Sequence, residues 1–426
     1  MSIGLLAVLA TAAAAPAAWA GAGDAGQAQG PRKLEWTTTS QEARDGLTEL
    51  QRRIESFQGG RPTAELAKKV AAADPEFALG AYYVSATTPP PENRKLLAQA
   101  VELARKKASD GERRFIETMA IVRGDKPADG IEPLRALARD YPGERIVHVL
   151  LGQLLADQKQ LEEARAEYEK ANALDASTPR VHSLLAALAL LKGDYARARA
   201  SYESALKAVP AGVAPFQLRN GIAYTYLYEG KVDEALASLQ AFVEDYKKAG
   251  SPFGIPEVFV WNAIGRVNLE NGRAAEALKA YEKGYESVPG SGLDETEKKI
   301  WLGRLHHGRG RALARLGRHE EAWKEAATLR KMIDEGGERG KEFEPAYHYL
   351  AGYLKLEAGD TKAALEHLQQ TDKDNPFHRL LLARAYERNG DKQNARKTYE
   401  EVVASTQNNL ERALAYPEAK RRLAAL

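Results

Sequence analysis

Between Trp301 and His319 the chain reads WLGRLHHGRGRALARLGRH, with five arginines, three histidines and no acid. Three chemistries use such residues. Imidazoles at helical spacing bind metals, glycine-rich turns cradle phosphates, and clustered arginines grip nucleic-acid backbones. His306 and His307 are adjacent, so on a helix they point about 100° apart and cannot serve one metal from one face. The places a turn away hold Leu302, Gly303, Gly310 and Arg311, none of which helps. Gly308-Arg309-Gly310 lacks the third glycine of a dinucleotide loop, and no strand pattern precedes it. G-x-S-x-G, H-E-x-x-H and G-x-x-x-x-G-K-[ST] do not occur, and the acids at 334–336 lack calcium-loop spacing. No catalytic residue, metal site or cofactor is expected.

The elements that carry this stretch are set by the whole chain. It has 426 residues, 44% of them hydrophobic and 28% charged, as in a folded soluble protein. The 61 basic and 59 acidic residues nearly balance, which argues against a dedicated nucleic-acid binder. There are no cysteines, hence no disulfide framework, thiolate metal site or cysteine nucleophile. The first twenty residues carry no charge and lead through an apolar run to Ala18-Trp19-Ala20, the small-x-small pattern of a signal peptide cut after Ala20. Residues 21–36 read as a flexible linker. Stable membrane insertion after cleavage is not expected, and the location would be periplasmic or secreted.

Seven segments of the chain repeat one pattern. They are GQLLADQKQLEEA (152–164), AALALLKGDYARA (186–198), AYTYLYEGKVDEA (223–235), GRVNLENGRAAEA (265–277), GRALARLGRHEEA (310–322), GYLKLEAGDTKAA (352–364) and ARAYERNGDKQNA (383–395). Each opens with Gly or Ala and closes with Ala twelve residues later. Midway stands Gly193, Gly230, Gly272, Gly317, Gly359 or Gly390, with Lys159 the exception. Tyr168, Tyr202, Tyr281 and Tyr399 follow the closing Ala by four. This describes a helical hairpin. Small residues let two helices approach, the midway Gly takes a left-handed turn, and the aromatic fills the space between hairpins. Proline ends the second helix, as at Pro142, Pro210 and Pro289. One hairpin cannot bury its apolar face alone, so the units must stack. His148, His182, His306 and His348 recur four residues before the opening residue, which points to packing.

These residues resemble the tetratricopeptide repeat family, of the bacterial exported type; Ala164 to Ala198 is 34 residues, the period of that family. The resemblance implies an all-α fold of tandem antiparallel helical hairpins stacked as a right-handed α-solenoid. On this reading 37–110 is divergent helical repeat, 111–409 an array of about eight repeats, and 410–426 a capping helix over the last one. Extra residues at 250–257, 289–295 and 334–342 should project from one rim. The resemblance also implies a concave groove lined by the first helix of each hairpin. Its places fall on Asn220 and Tyr224, then Asn262 and Arg266, then His307, Arg311 and Arg315, then Tyr349 and Tyr353, then Arg384. Asn bonds peptide groups, Arg grips carboxylates and Tyr offers flat area with a polar tip. The set resembles the clamp by which some family members hold a terminal carboxylate, although Glu270 stands where a basic residue is usual.

The expected function is therefore a non-catalytic scaffold that binds a protein or peptide, an acidic one suiting the groove, outside the inner membrane. The alternatives are an accessory or regulatory subunit of a separate envelope enzyme or assembly complex, and a nucleic-acid binder working through 304–318.

Overall fold

The structure is a computed structural model that describes residues 30–210, 213, 215–248 and 257–426. The signal peptide expected at 1–20, most of the linker, and the insert at 250–256 lie outside the described residues. Among the described residues the regular elements are all helices. They pair in succession as Gln41–Glu55 with Arg61–Ala73, Ala78–Thr87 with Glu92–Lys107, Asp110–Val122 with Ile131–Asp140, Arg145–Asp157 with Leu161–Leu174, and Pro179–Leu191 with Tyr195–Ala208. The series continues with Phe216–Tyr228 and Val232–Lys248, Val258–Glu270 and Ala274–Glu286, Glu295–Arg315 and His319–Glu335, Glu344–Glu357 and Thr361–Leu368, and Pro376–Arg388 and Lys392–Ala404. Each second helix packs on the first helix of the next pair, which makes the chain an all-α solenoid of hairpins.

Short sequence signals set the turns. In Gly193-Asp194, Gly359-Asp360 and Gly390-Asp391 the glycine takes φ of 80°, 82° and 83°. The following Asp accepts a hydrogen bond from Arg197 N, Ala363 N or Asn394 N and caps the second helix. The repeat without a glycine makes the same turn, since Lys159 sits at φ 61°.

The small residues do what their spacing predicts. A Cβ on Gly152 would come within 2.5 Å of the Tyr168 ring, and one on Gly265 within 2.6 Å of the Tyr281 ring. Tyr202 lies in the same way on Gly221 of the next hairpin, and Tyr281 also lies on Gly308. All four repeat tyrosines are buried. The recurring histidines join the two helices of a hairpin: His148 Nδ1 lies 2.7 Å from Glu167, His306 Nδ1 2.5 Å from Glu325, and His348 Nδ1 3.0 Å from His367 Nδ1. Each partner stands nineteen residues on. His182 instead meets the Ala176 carbonyl at 2.8 Å.

Three expectations are corrected. The linker does not extend to residue 36, because Leu34 is buried, Gly143 N donates to the Arg32 carbonyl, and Thr37 N donates to the buried Glu112. The 289–295 excess is not wholly a projecting loop. Asp294 and Glu297 form a capping box, and the helix they start runs from Glu295, fifteen residues before Gly310 where other first helices lead by seven or eight. The 334–342 excess includes a short helix, Gly337–Lys341.

The last helix, Leu410–Ala425, is capped by Asn409 and carries Pro417 in its interior. That proline removes one backbone hydrogen bond and crowds the preceding turn, a cost of about 3 kcal/mol in a helix interior. One side of this helix, through Ala415, Ala419 and Leu423, covers the last hairpin against Tyr399 and Val402. Its other side crosses to the inner helices Phe216–Tyr228 and Val258–Glu270, four and three hairpins earlier.

Two substitutions test this packing logic. Lys159→Gly relieves a left-handed lysine and should raise the urea midpoint, by up to about 1 kcal/mol of stability. Gly265→Ala should lower stability by about 1–3 kcal/mol, because Tyr281 cannot move off the glycine without losing its other contacts. A Gly265→Ala protein as stable as the parent would remove the glycine–tyrosine contact as the spacing device.

Candidate functional site

Several of the places read as groove-facing, on the first helices of the five C-terminal hairpins, carry side chains that are bonded to one another. Arg311 is 3% exposed. Its Nη1 donates to Tyr349 Oη at 2.8 Å, its Nη2 to Tyr281 Oη at 3.4 Å, and its Nε to the His307 carbonyl at 3.3 Å. One turn on, Arg315 Nε donates to Tyr353 Oη at 2.8 Å and stands 3.2 Å from Glu357. Both arginines face Glu270, at 3.8 and 3.7 Å. Those separations are ion pairs without a hydrogen bond, and both carboxylate oxygens of the buried Glu270 lack a hydrogen-bond partner.

The terminal helix completes the network. Arg266 pairs with Glu411 and lies over the Phe377 ring at 5.1 Å. Arg384 holds Glu418 with two bonds, 2.8 and 2.5 Å, in fork geometry. From the helix side, Arg412 Nη1 donates to Tyr228 Oη at 2.6 Å, and its guanidinium lies 4.7 Å over Tyr416. Ahead of the helix, Asn408 Nδ2 donates to Tyr202 Oη at 2.8 Å. Burial, and then Glu387 beside it, push the Tyr399 phenol up, while Arg266 and Arg384 hold Glu411 and Glu418 below the usual carboxylate range against the opposing effect of burial.

Of the residues singled out from sequence, Arg266, His307, Arg311, Arg315, Tyr349, Tyr353 and Arg384 are thus brought together. Asn220 and Tyr224 lie beside them on Phe216–Tyr228, both buried, with Asn220 Oδ1 unpartnered. Asn262 lines a small side cavity with Tyr281, Tyr285, Trp301 and Arg304. The arginines of this set, Arg266, Arg311, Arg315 and Arg384, are already engaged by acids and phenols of the same chain. The basic stretch at 304–318 is engaged as well. Arg309 pairs with Glu282 and Glu325, and Arg318 with Glu321; Arg304, over Trp301 at 4.7 Å, is the arginine of this stretch without an ion pair among the described residues.

Sequence reasoning missed Glu411, Arg412 and Glu418, and assigned Tyr281 to packing alone. Glu411 and Glu418 stand seven apart, two turns on one helix face, which was a readable signal once a helix was expected there. Among the described residues no three His, Asp or Glu side chains cluster as metal ligands. His307 and His378 flank the Tyr349 ring at 4.6 and 4.4 Å. Burial, then the Arg311 charge, hold His307 well below its ordinary value, and burial, then Arg266, bring His378 down to about 4.

The sequence profile of the tetratricopeptide repeat matches residues 125–188, 220–292 and 349–410. No curated protein matches the chain by sequence. Solved structures similar to it include a tetratricopeptide repeat protein from Parabacteroides merdae, 16% identical over 68% of this chain and 98% of that one, with a TM-score of 0.45. Another is the human IFIT1 dimer with PPP-AAAA, 17% identical over 85% and 72%, at 0.41. A third is BtubC from P. vanneervenii, 16% identical over 54% and 93%, at 0.41.

The two depressed imidazoles give a pH prediction. As pH falls through 6.5 the unfolded chain protonates both, while the folded chain protonates His378 only near 4 and holds His307 unprotonated well below 6.5. The unfolded state then binds more protons, so stability drops as pH falls from 6.5 toward 4. His378→Asn should flatten that slope in thermal melts taken between pH 7 and 4. An unchanged slope would mean that His378 is hydrated and does not contribute.

Proposed function

The chain is a tetratricopeptide repeat protein, and from that premise we propose that it is a non-catalytic scaffold whose inner channel binds an acidic helical or extended segment of a partner protein. Proteins built from these repeats are in general scaffolds for protein–protein interaction, and such a solenoid has an extended inner surface to offer. The observation that carries the finer reading is the manner in which Arg266 and Arg384 hold Glu411 and Glu418. Two arginines from hairpins three apart select two carboxylates on one helix face; Tyr353 lies on a hairpin between them, and Tyr224 and Tyr228 lie on the hairpin before Arg266. A partner segment of the same chemistry fits the same surface. The engagement of four of the five arginines between Trp301 and His319 in contacts within the chain favours this reading over nucleic-acid binding through that stretch. We place the scaffold outside the inner membrane on the strength of the signal-like residues 1–20.

Crosslinking with mass spectrometry in the native host tests this. Arg266→Glu with Arg384→Glu should reduce partner capture at least tenfold while leaving the helical circular dichroism unchanged. Arg311, its side chain 3% exposed against 11% and 12% for Arg266 and Arg384, is left out of the test. Capture of the same partners by the double variant, at parental level, would sink the channel as the binding surface.

A further inference from the structure

We propose that the helix Leu410–Ala425 is a resident, displaceable occupant of the channel, so that the scaffold is closed by its own C-terminus until a partner segment presenting two carboxylates seven residues apart takes its place. This rests on the reading of the channel as a binding surface and adds what that surface recognises and what regulates it.

Four observations on the helix support displacement. Beside the apolar packing of Leu410, Ala413 and Tyr416, its contacts to the channel include directional polar ones: Glu411 to Arg266, Glu418 to Arg384, Arg412 to Tyr228. Polar contacts of this kind are matched by a competitor with the same charges, whereas interdigitated apolar packing demands the same shape. Second, the helix carries Pro417 in its interior, where the backbone loses a hydrogen bond, so the occupant is weaker as a helix than a proline-free segment would be. Third, the helix joins the last hairpin through Ser405–Asn409, a polar stretch outside regular helix that lets it swing away without unwinding Lys392–Ala404.

The fourth observation is the most specific. The resident helix satisfies the channel incompletely. Arg266 Nε, both oxygens of Glu270 and His307 Nε2 are buried and lack a hydrogen-bond partner, as does Arg412 Nε on the helix itself. Glu270 lies one turn beyond Arg266 on the same helix, Val258–Glu270. A segment that gives Arg266 a second acceptor and offers Glu270 a donor gains bonds that the resident leaves unmade. Two carboxylates seven residues apart on a helix are about 10 Å apart along its axis, which sets the spacing that the partner must reproduce. The tether gives the resident a high effective concentration, on the order of millimolar, so a partner must outbid it by complementarity or by local abundance.

The test uses the full chain, a Glu411→Gln/Glu418→Gln variant, and a fluorescein-labelled synthetic peptide spanning residues 405–426. Release is read by amide hydrogen exchange over 410–425, and binding by fluorescence anisotropy. The expected result is faster exchange of the terminal helix in the variant, peptide affinity at least tenfold tighter for the variant than for the parent, and loss of that binding when Arg266→Glu/Arg384→Glu is added. Equal binding of the peptide to parent and variant would overturn the resident occupant while leaving the channel as a binding surface. Exchange that shows the helix released, with no peptide binding to either chain, would overturn both readings. Unchanged exchange in the variant would mean that these carboxylates do not hold the helix, which overturns this proposal alone.

Discussion

The ring of Tyr281 is where packing and electrostatics meet. It lies on Gly265 of its own hairpin and on Gly308 of the next, closer than any side chain at either place would allow. Those two contacts fix how far one hairpin stands from its neighbour. The same ring carries its hydroxyl to the inner face, where it accepts from Arg311. The spacing of the repeat thus also positions a buried cation. Were the glycines larger, the hairpins would part, Tyr281 would withdraw, and Arg311 would be left with one phenol instead of two. A guanidinium 3% exposed cannot afford that loss, because removing a charge from water costs several kcal/mol unless hydrogen bonds and counter-charge replace the solvent.

From this follows the odd constitution of the inner face. Arg266, Arg311, Arg315 and Arg384 converge on one surface, and a surface of that kind is self-repelling unless acids enter it. The array supplies Glu270 and Glu357 from its own inner helices. They are not enough, and the remaining counter-charge comes from outside the repeats, as Glu411 and Glu418 on the terminal helix. Placing the counter-charge on a separate element has a consequence that an internal acid would not have. The charge balance of the channel can change when that element leaves, so occupancy of the channel and the energy of its arginines are coupled.

The hairpins were legible in sequence because their determinants are local and repeated. A glycine at a left-handed turn, a small residue under a tyrosine and an Asp cap each act within a few residues, and seven copies reinforce the register. Lys159 shows that the register dominates: the turn forms at φ 61° without its glycine. The long first helix from Glu295 was also encoded, by the capping box at Asp294 and Glu297, but the repeat pattern pointed to a start near Gly303. The grouping of Arg266, Arg311 and Arg384 followed from the resemblance to the repeat family. Their partners did not, since Arg266 and Glu411 are 145 residues apart and Arg412 and Tyr228 184 apart. Pairings over that separation depend on how the solenoid curves, and curvature accumulates from small rotations at every interface.

The near-zero net charge takes on a different meaning in this light. A balance of 61 basic and 59 acidic residues argued from sequence against a dedicated nucleic-acid binder. In three dimensions Arg266 and Arg384 of the array meet Glu411 and Glu418 of the terminal helix, which itself also carries Arg412, Lys420, Arg421 and Arg422. Salt should then act unevenly on the molecule. The buried contacts among Arg311, Tyr281 and Tyr349 are shielded from ions, whereas the pairs made by the terminal helix are partly open to solvent, with Glu411 25% and Glu418 17% exposed at the side chain. Ionic strength therefore loosens the occupant before it loosens the channel, which is the order that a detachable occupant on a rigid support requires.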